Sequence, residues 1–226
     1  MEINTDLKNF INDNLNLIDK NTPDSWLSIY QKFEEDYDGD ELAGQLSAVL
    51  LASGINPPQV IGEVPRRFLQ YQSQITEYKI PDNCTYIGMS AFEDTSITEI
   101  NIPSTVTGID YLAFGGTKLK KIKLPSSVKT LENAVFHSCE DLEEVDLGNL
   151  VYLGDECFVD CIHLTKLYIP KTILYFHMNN LYGCTRLREI NYKGTKKEFK
   201  LWAADELEDW TNQNKIICTD GVIELE

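Results

Sequence analysis

Residues 97–118 read ITEINIPSTVTGIDYLAFGGTK. The same block, with substitutions, fills 75–96 (ITEYKIPDNCTYIGMSAFEDTS), 119–141 (LKKIKLPSSVKTLENAVFHSCED), 142–163 (LEEVDLGNLVYLGDECFVDCIH) and 164–186 (LTKLYIPKTILYFHMNNLYGCTR). Its leading apolar residue falls at Ile75, Ile97, Leu119, Leu142, Leu164 and again at Leu187, in steps of 22, 22, 23, 22 and 23. A fixed period in this range marks a solenoid, in which each unit buries its apolar side only against its neighbours. The chain therefore reads as one continuous body, built as a scaffold.

Each unit opens on the pattern L-x-x-I-x-I, as in Ile97, Ile100 and Ile102 or Leu119, Ile122 and Leu124. Its last two apolar positions alternate as a half-buried strand requires. Pro81, Pro103, Pro125 and Pro170 then stop the strand, because proline has no N–H for a ladder; Gly148 takes that place in the fourth unit. A second apolar pair follows, such as Val106 with Ile109 or Val128 with Leu131. Next we expect a short turn of helix ending in an aromatic residue: Phe92, Phe114, Phe136, Phe158, with Leu181 in the fifth unit. At this spacing these side chains stack into a buried spine. Parallel strands about 4.8 Å apart make the stack of coils on the order of 25–30 Å long.

Cys139, Cys161 and Cys184 share one column, three residues after the aromatic position, with Thr95 and Thr117 above them. Threonine and cysteine match in size but not in metal chemistry, and no pair has the C-x₂-C spacing of a zinc site. The column reads as small core residues, and so does Cys157, which aligns with Ala91, Ala113 and Ala134. No metal and no cofactor is expected.

Hydrophobic content of 42% and charged content of 25% suit a packed core. The net charge of −16 argues against direct nucleic acid binding, which needs clustered Lys and Arg. It suits solubility, and it permits a basic protein partner steered by long-range attraction. The start, MEINTDLKNF, has no basic leader and no apolar run, so a secretory signal is not expected. No stretch of 18 apolar residues exists to span a membrane. Cysteines without a signal peptide read as reduced thiols, and the expected location is the cytoplasm.

The block L-x-x-I-x-I-P…I…A-F-x-x-C-x-x-L resembles the BspA-type leucine-rich repeat of bacteria, their phages and some protists. INYKGTKKEF (190–199), Trp210 and IICTDGVIEL (216–225) resemble the closing segment of such proteins. The lead-in, with ASGINPP and VPRRFLQYQSQI, is similar to that of short members encoded by phages and prophages. The resemblance implies an α/β leucine-rich-repeat solenoid with a parallel strand ladder. Long secreted members act as surface adhesins, whereas short intracellular members mostly have no assigned activity.

The expected organisation is an N-terminal helical cap region over 1–60, a partial repeat over 61–74, five repeats over 75–186, and a C-terminal strand/helix cap over 187–226. Leu7, Phe10, Ile11, Leu15 and Ile18 follow helical spacing, as do Trp26, Ile29, Tyr30 and Phe33. In 61–69, IGEVPRRFL mimics the second half of a repeat, with Phe68 in the aromatic column. The acidic loop EEDYDGDE (34–41) fails the calcium-loop pattern, since Gly39 is misplaced and Ser47 stands where the bidentate Glu belongs. Trp202, Leu207 and Trp210 are expected to cover the last coil.

No nucleophile elbow, zincin, P-loop or dinucleotide fingerprint occurs. Cys161 and His163 could form a thiolate–imidazole pair, but two residues apart on one turn they rarely face each other. No enzymatic activity is expected. A ligand would meet the open strand face, through the x positions of L-x-x-I-x-I. Position three carries Glu77, Glu99, Lys121, Glu144, Lys166 and Glu189; position five includes Lys123, Asp146 and Tyr168. Opposite signs on adjacent strands can pair, as Lys121 with Glu144 and Lys123 with Asp146. The face is then either a self-satisfied charged surface or a protein-recognition surface anchored on Tyr168. Glu140, Asp141, Glu143, Glu144 and Asp146 make the densest acidic field.

The expected function is a non-catalytic protein–protein interaction module, binding by a rigid preformed surface. One alternative is a phage-encoded acidic inhibitor of a host defence or nucleic-acid-binding protein. Another is a structural part of a virion or surface layer. Nothing in the repeat fixes an oligomeric state.

Overall fold

A computed structural model describes residues 63–202, apart from 65 and 71, and residues 215–223. The expected N-terminal helices, the loop EEDYDGDE, the side chain of Trp202, and Leu207 and Trp210 lie outside the described residues. The coils are joined edge to edge by three parallel ladders, where the sequence suggested one.

The first ladder is built by the I-x-I segments. Strands β4 (Lys121–Lys123), β6 (Glu144–Asp146), β8 (Lys166–Ile169) and β9 (Glu189–Tyr192) pair in parallel. β10 (Lys215–Cys218) continues the ladder in parallel, and β11 (Gly221–Ile223) closes it antiparallel. In the first two units, 75–80 and 97–102 form no strand, and Lys120 N–H to Thr98 O, at 3.2 Å, ties the second unit to the third. Tyr78 puts a ring where the other units carry Ile, Val or Leu. That ring fills the interior between Phe68 and Phe92, with centroids at 5.5 and 5.4 Å.

A turn then redirects the chain. The proline carbonyl accepts from the N–H three residues on, as Pro103 from Val106 and Pro125 from Val128, both at 3.1 Å. In the fourth unit the turn starts one residue earlier, from Leu147 O to Leu150 N–H. Gly148 there has φ +60°, and a Cβ on it would come within 2.5 Å of Leu124 O, so glycine is required. The second apolar pair leads into a second ladder of two-residue strands. These are β1 (Glu63–Val64), β2 (Tyr86–Ile87), β3 (Gly108–Ile109), β5 (Thr130–Leu131) and β7 (Tyr152–Leu153). Val64, Ile87, Ile109, Leu131 and Leu153 point inward and are buried.

In the first four units a third ladder replaces the expected turn of helix; the fifth keeps that turn as a 3₁₀ helix over Met178–Leu181, ending at Leu181. The N–H groups of Ser90, Phe92 and Asp94 donate to the carbonyls of Tyr111, Ala113 and Gly115, each at 2.8 Å. Leu112, Phe114 and Gly116 donate likewise to Asn133, Val135 and His137, and Ala134, Phe136 and Ser138 to Asp155, Cys157 and Val159. The intervening N–H groups of Ala91, Glu93 and Thr95 close turns onto Gly88, Ser90 and Phe92 within their own coil. Over 90–95 every backbone donor is thus used, alternately between and within coils. The geometry needs two left-handed residues per coil. One column is Ser90, Leu112, Ala134 and Glu156, with φ from 53° to 61°; the other is Asp94, Gly116, Ser138, Asp160 and Gly183.

This register makes two corrections to the alignment. Leu69, not Phe68, stands in the aromatic column, because Leu69 N–H meets Ala91 O as Phe92 N–H meets Ala113 O. Val135, not Ala134, shares the column of Ala91, Ala113 and Cys157; Ala134 is a left-handed turn residue. The spine forms from Phe92, Phe114, Phe136 and Phe158, with centroids 5.1, 5.6 and 5.9 Å apart and planes within 7°. At such separations the rings are offset along one another.

After β9 comes helix α1 (Lys196–Trp202). Thr195 and Glu198 make a capping box: Thr195 N–H donates to Glu198 Oε2 at 2.7 Å and Glu198 N–H to Thr195 Oγ1 at 3.2 Å. These bonds hold the Glu198 carboxyl below its usual range. Phe199 is fully buried, edge-on to Tyr192 at 5.3 Å.

Candidate interaction surfaces

The first ladder sets its outward side chains in rows. By register, one row runs Lys121, Glu144, Lys166, Glu189, Lys215, with signs alternating at every step. Lys121 Nζ lies 3.3 Å from Glu144, and Lys166 Nζ 3.8 Å from Glu189. Lys215 belongs to this row although it sits outside the counted repeats. The parallel row runs Lys123, Asp146, Tyr168, Asn191. The expected pair of Lys123 with Asp146 is replaced. Asp146 takes Lys193 at 2.7 Å, a lysine reaching back across the intervening coil, and accepts Gly148 N–H at 3.0 Å. Tyr168, the expected anchor, is half-buried between Asp146 and Asn191. Glu77 and Glu99 are exposed on segments that form no strand. The acidic field divides: Glu144 and Asp146 are paired, whereas Glu140, Asp141 and Glu143 make no ion pair among the described residues.

The second ladder carries a different surface, which the pattern L-x-x-I-x-I does not reveal. Its outward column is Tyr86, Gly108, Thr130 and Tyr152. Leu174 N–H bonds Val151 O at 3.1 Å, which sets Tyr175 beside Tyr152 in the fifth unit. Tyr152 and Tyr175 are 50% and 57% exposed, and Tyr111 on the adjoining turn is 42% exposed. The His177 ring stands at 83° to that of Tyr175, 4.2 Å away, and the Tyr175 hydroxyl bonds its Nε2 at 2.6 Å. Asp110 and Glu132 are register neighbours beside this column, and Asp155 N–H is fixed at 3.0 Å on Asn133 Oδ1. A period-two alternation over two residues is too short to announce a strand or the face it carries.

The thiols serve the interior. Cys139, Cys161 and Cys184 donate to the carbonyls of Phe114, Phe136 and Phe158 at 3.1, 3.2 and 3.0 Å. Thr95 and Thr117 donate from the same column to Phe92 and Phe114 at 2.8 and 2.9 Å. Burial pushes the Cys139 thiol up to about 11, Cys157 and Cys184 to about 12, and Cys161 well above its ordinary value. Cys161 and His163 are committed elsewhere, since His163 Nδ1 lies 2.7 Å from Glu140 O. A protonated thiol bonded inward is not a nucleophile. No described helix is long and apolar enough to cross a membrane.

The BspA type leucine rich repeat region matches residues 62–201, in six copies, and the chain belongs to this family. Among solved structures it is similar to the leucine-rich repeat protein of T. pallidum, at 26% identity and a TM-score of 0.53, over 57% of this chain and 62% of that one. It is also similar to the pneumococcal vaccine antigen PcpA, at 22% identity and 0.51, over 58% of this chain and 36% of that one. A leucine-rich repeat protein from Bacteroides ovatus aligns at 18% identity and 0.49, over 72% of this chain and 50% of its own. The chain thus spans less than two thirds of the length of each of these structures. No curated protein matches it.

Proposed function

We propose that the chain is a non-catalytic protein–protein interaction module of the cytoplasm, with a basic partner. One observation carries this reading: three ladders and one continuous buried interior hold the outer side chains in fixed rows, so binding needs little ordering of the surface. Leucine-rich repeats commonly serve protein–protein contact, and solenoids offer extended surfaces for it. The net charge of −16 favours a basic partner. We read β9, α1 and the β10–β11 hairpin as closing the last coil.

The test is affinity capture at low and high salt, followed by reconstitution with the purified partner. A saturable complex of fixed stoichiometry is expected. Absence of any reconstituted partner, or a turnover abolished by one polar substitution, contradicts it. A second reading, an acidic inhibitor of a nucleic-acid-binding enzyme, is favoured by the uncompensated Glu140, Asp141 and Glu143. It requires that Glu140→Lys with Glu143→Lys release such an enzyme.

A further inference from the structure

We propose that the ridge over the second ladder, formed by Tyr111, Tyr152 and Tyr175 with Asp110, Glu132 and Asp155, docks an extended, arginine-bearing segment of a protein partner. The inference rests on the interaction-module reading and names its surface and the chemistry of its partner.

Three observations lead there. The first ladder spends most of its charges on itself, pairing Lys121 with Glu144, Lys166 with Glu189 and Lys193 with Asp146. On the ridge Asp110, Glu132 and Asp155 make no ion pair among the described residues, and Lys129 nearby donates to the carbonyls of Ser126 and Asn149 instead. The ridge also exposes three tyrosines, whose rings offer aromatic faces to a ligand. Tyr152 and Tyr175 lie on adjacent coils, and Tyr175 is braced by His177.

Aromatic faces beside carboxylates select a cation, and arginine over lysine. A guanidinium stacks flat on a ring while its edge donates to a carboxylate; an ammonium is a more strongly hydrated point charge. The tyrosines and carboxylates are spread over the second to fifth coils, so an extended segment running across them meets several of them. The same carboxylates repel nucleic acid.

The test titrates the full chain with a fluorescently labelled peptide alternating arginine and serine, and with its lysine and glutamate counterparts. The arginine peptide is expected to bind most tightly and the glutamate peptide not at all. Tyr152→Ala and Tyr175→Ala should each weaken it about fivefold, and together about twentyfold. Glu132→Gln with Asp155→Asn should weaken it and flatten its salt dependence. Both tyrosines are exposed, so an unchanged thermal midpoint separates lost contact from lost fold. Equal affinity for the lysine peptide, with no effect of either tyrosine, overturns the proposal. So does loss of binding in Glu140→Lys with Glu143→Lys alone. Binding of maltoheptaose that depends on Tyr152, in place of the peptide, assigns the ridge to carbohydrate and also overturns it. A reconstituted protein partner that binds the double tyrosine variant as well as the parent removes the ridge while leaving the module standing.

Discussion

Glu156 is exposed at φ 61°, a conformation that costs an L-residue about 1–2 kcal/mol and glycine nothing. The extra freedom glycine gives the unfolded chain takes back about 0.5–1 kcal/mol. Glu156→Gly should therefore raise stability by about 0.5–1 kcal/mol, and Glu156→Val should lower it, both read from urea midpoints. Half of this geometry was legible in the sequence. The column Asp94, Gly116, Ser138, Asp160, Gly183 is made of residues that tolerate or favour the left-handed region or turns. The column Ser90, Leu112, Ala134, Glu156 shares no chemistry, because the hydrogen bonds to the next coil impose its conformation. The buried thiols make a second prediction. Their pKa values lie above the ordinary 9.0 because burial disfavours the thiolate. Their contribution to stability is thus complete below pH 9 and lost as pH rises through about 11 to 12. Chemical denaturation from pH 7 upward should show this alkaline loss. Cys139→Thr, which copies Thr117 in the next coil, should remove part of it.

At the scale of the element, α1 depends on its capping box. Thr195→Ala removes the Oγ1 that accepts Glu198 N–H, and exchange of the Phe199 amide should quicken about fivefold. The G-T-x-x-E spacing is visible in the sequence as a capping box once a helix is expected there. The strand-face pairs are worth far less than their regularity suggests. Lys121 and Glu144 are 66% and 36% exposed, so Lys121→Ala should change stability by less than about 0.5 kcal/mol and lose even that at high salt. Adjacent-strand reasoning found Lys121 with Glu144 but failed for Asp146. A lysine stem spans more than one coil, and Lys193 reaches Asp146 from two coils away. The first two units show the same limit. In the first the ring of Tyr78 occupies the interior, and the second keeps the pattern with Ile100, yet neither forms a strand.

Across the whole molecule, the period of 22 or 23 residues made the solenoid and its phenylalanine spine legible. The number of ladders was not legible, because two of the three are built from runs too short to show a period. The account's central claim is that these ladders and one shared interior bind the coils into a single stiff body. Phe136 is fully buried between Phe114 and Phe158, and its truncation should cost about 3–5 kcal/mol. The decisive measurement is native-state hydrogen exchange on Phe136→Ala, following the third-ladder amides of Phe92, Phe114, Phe136 and Phe158. Strong protection in the parent, falling together by a common factor in the variant, is predicted. Amides that exchange freely in the parent, or a loss confined to the coil carrying Phe136, would contradict it.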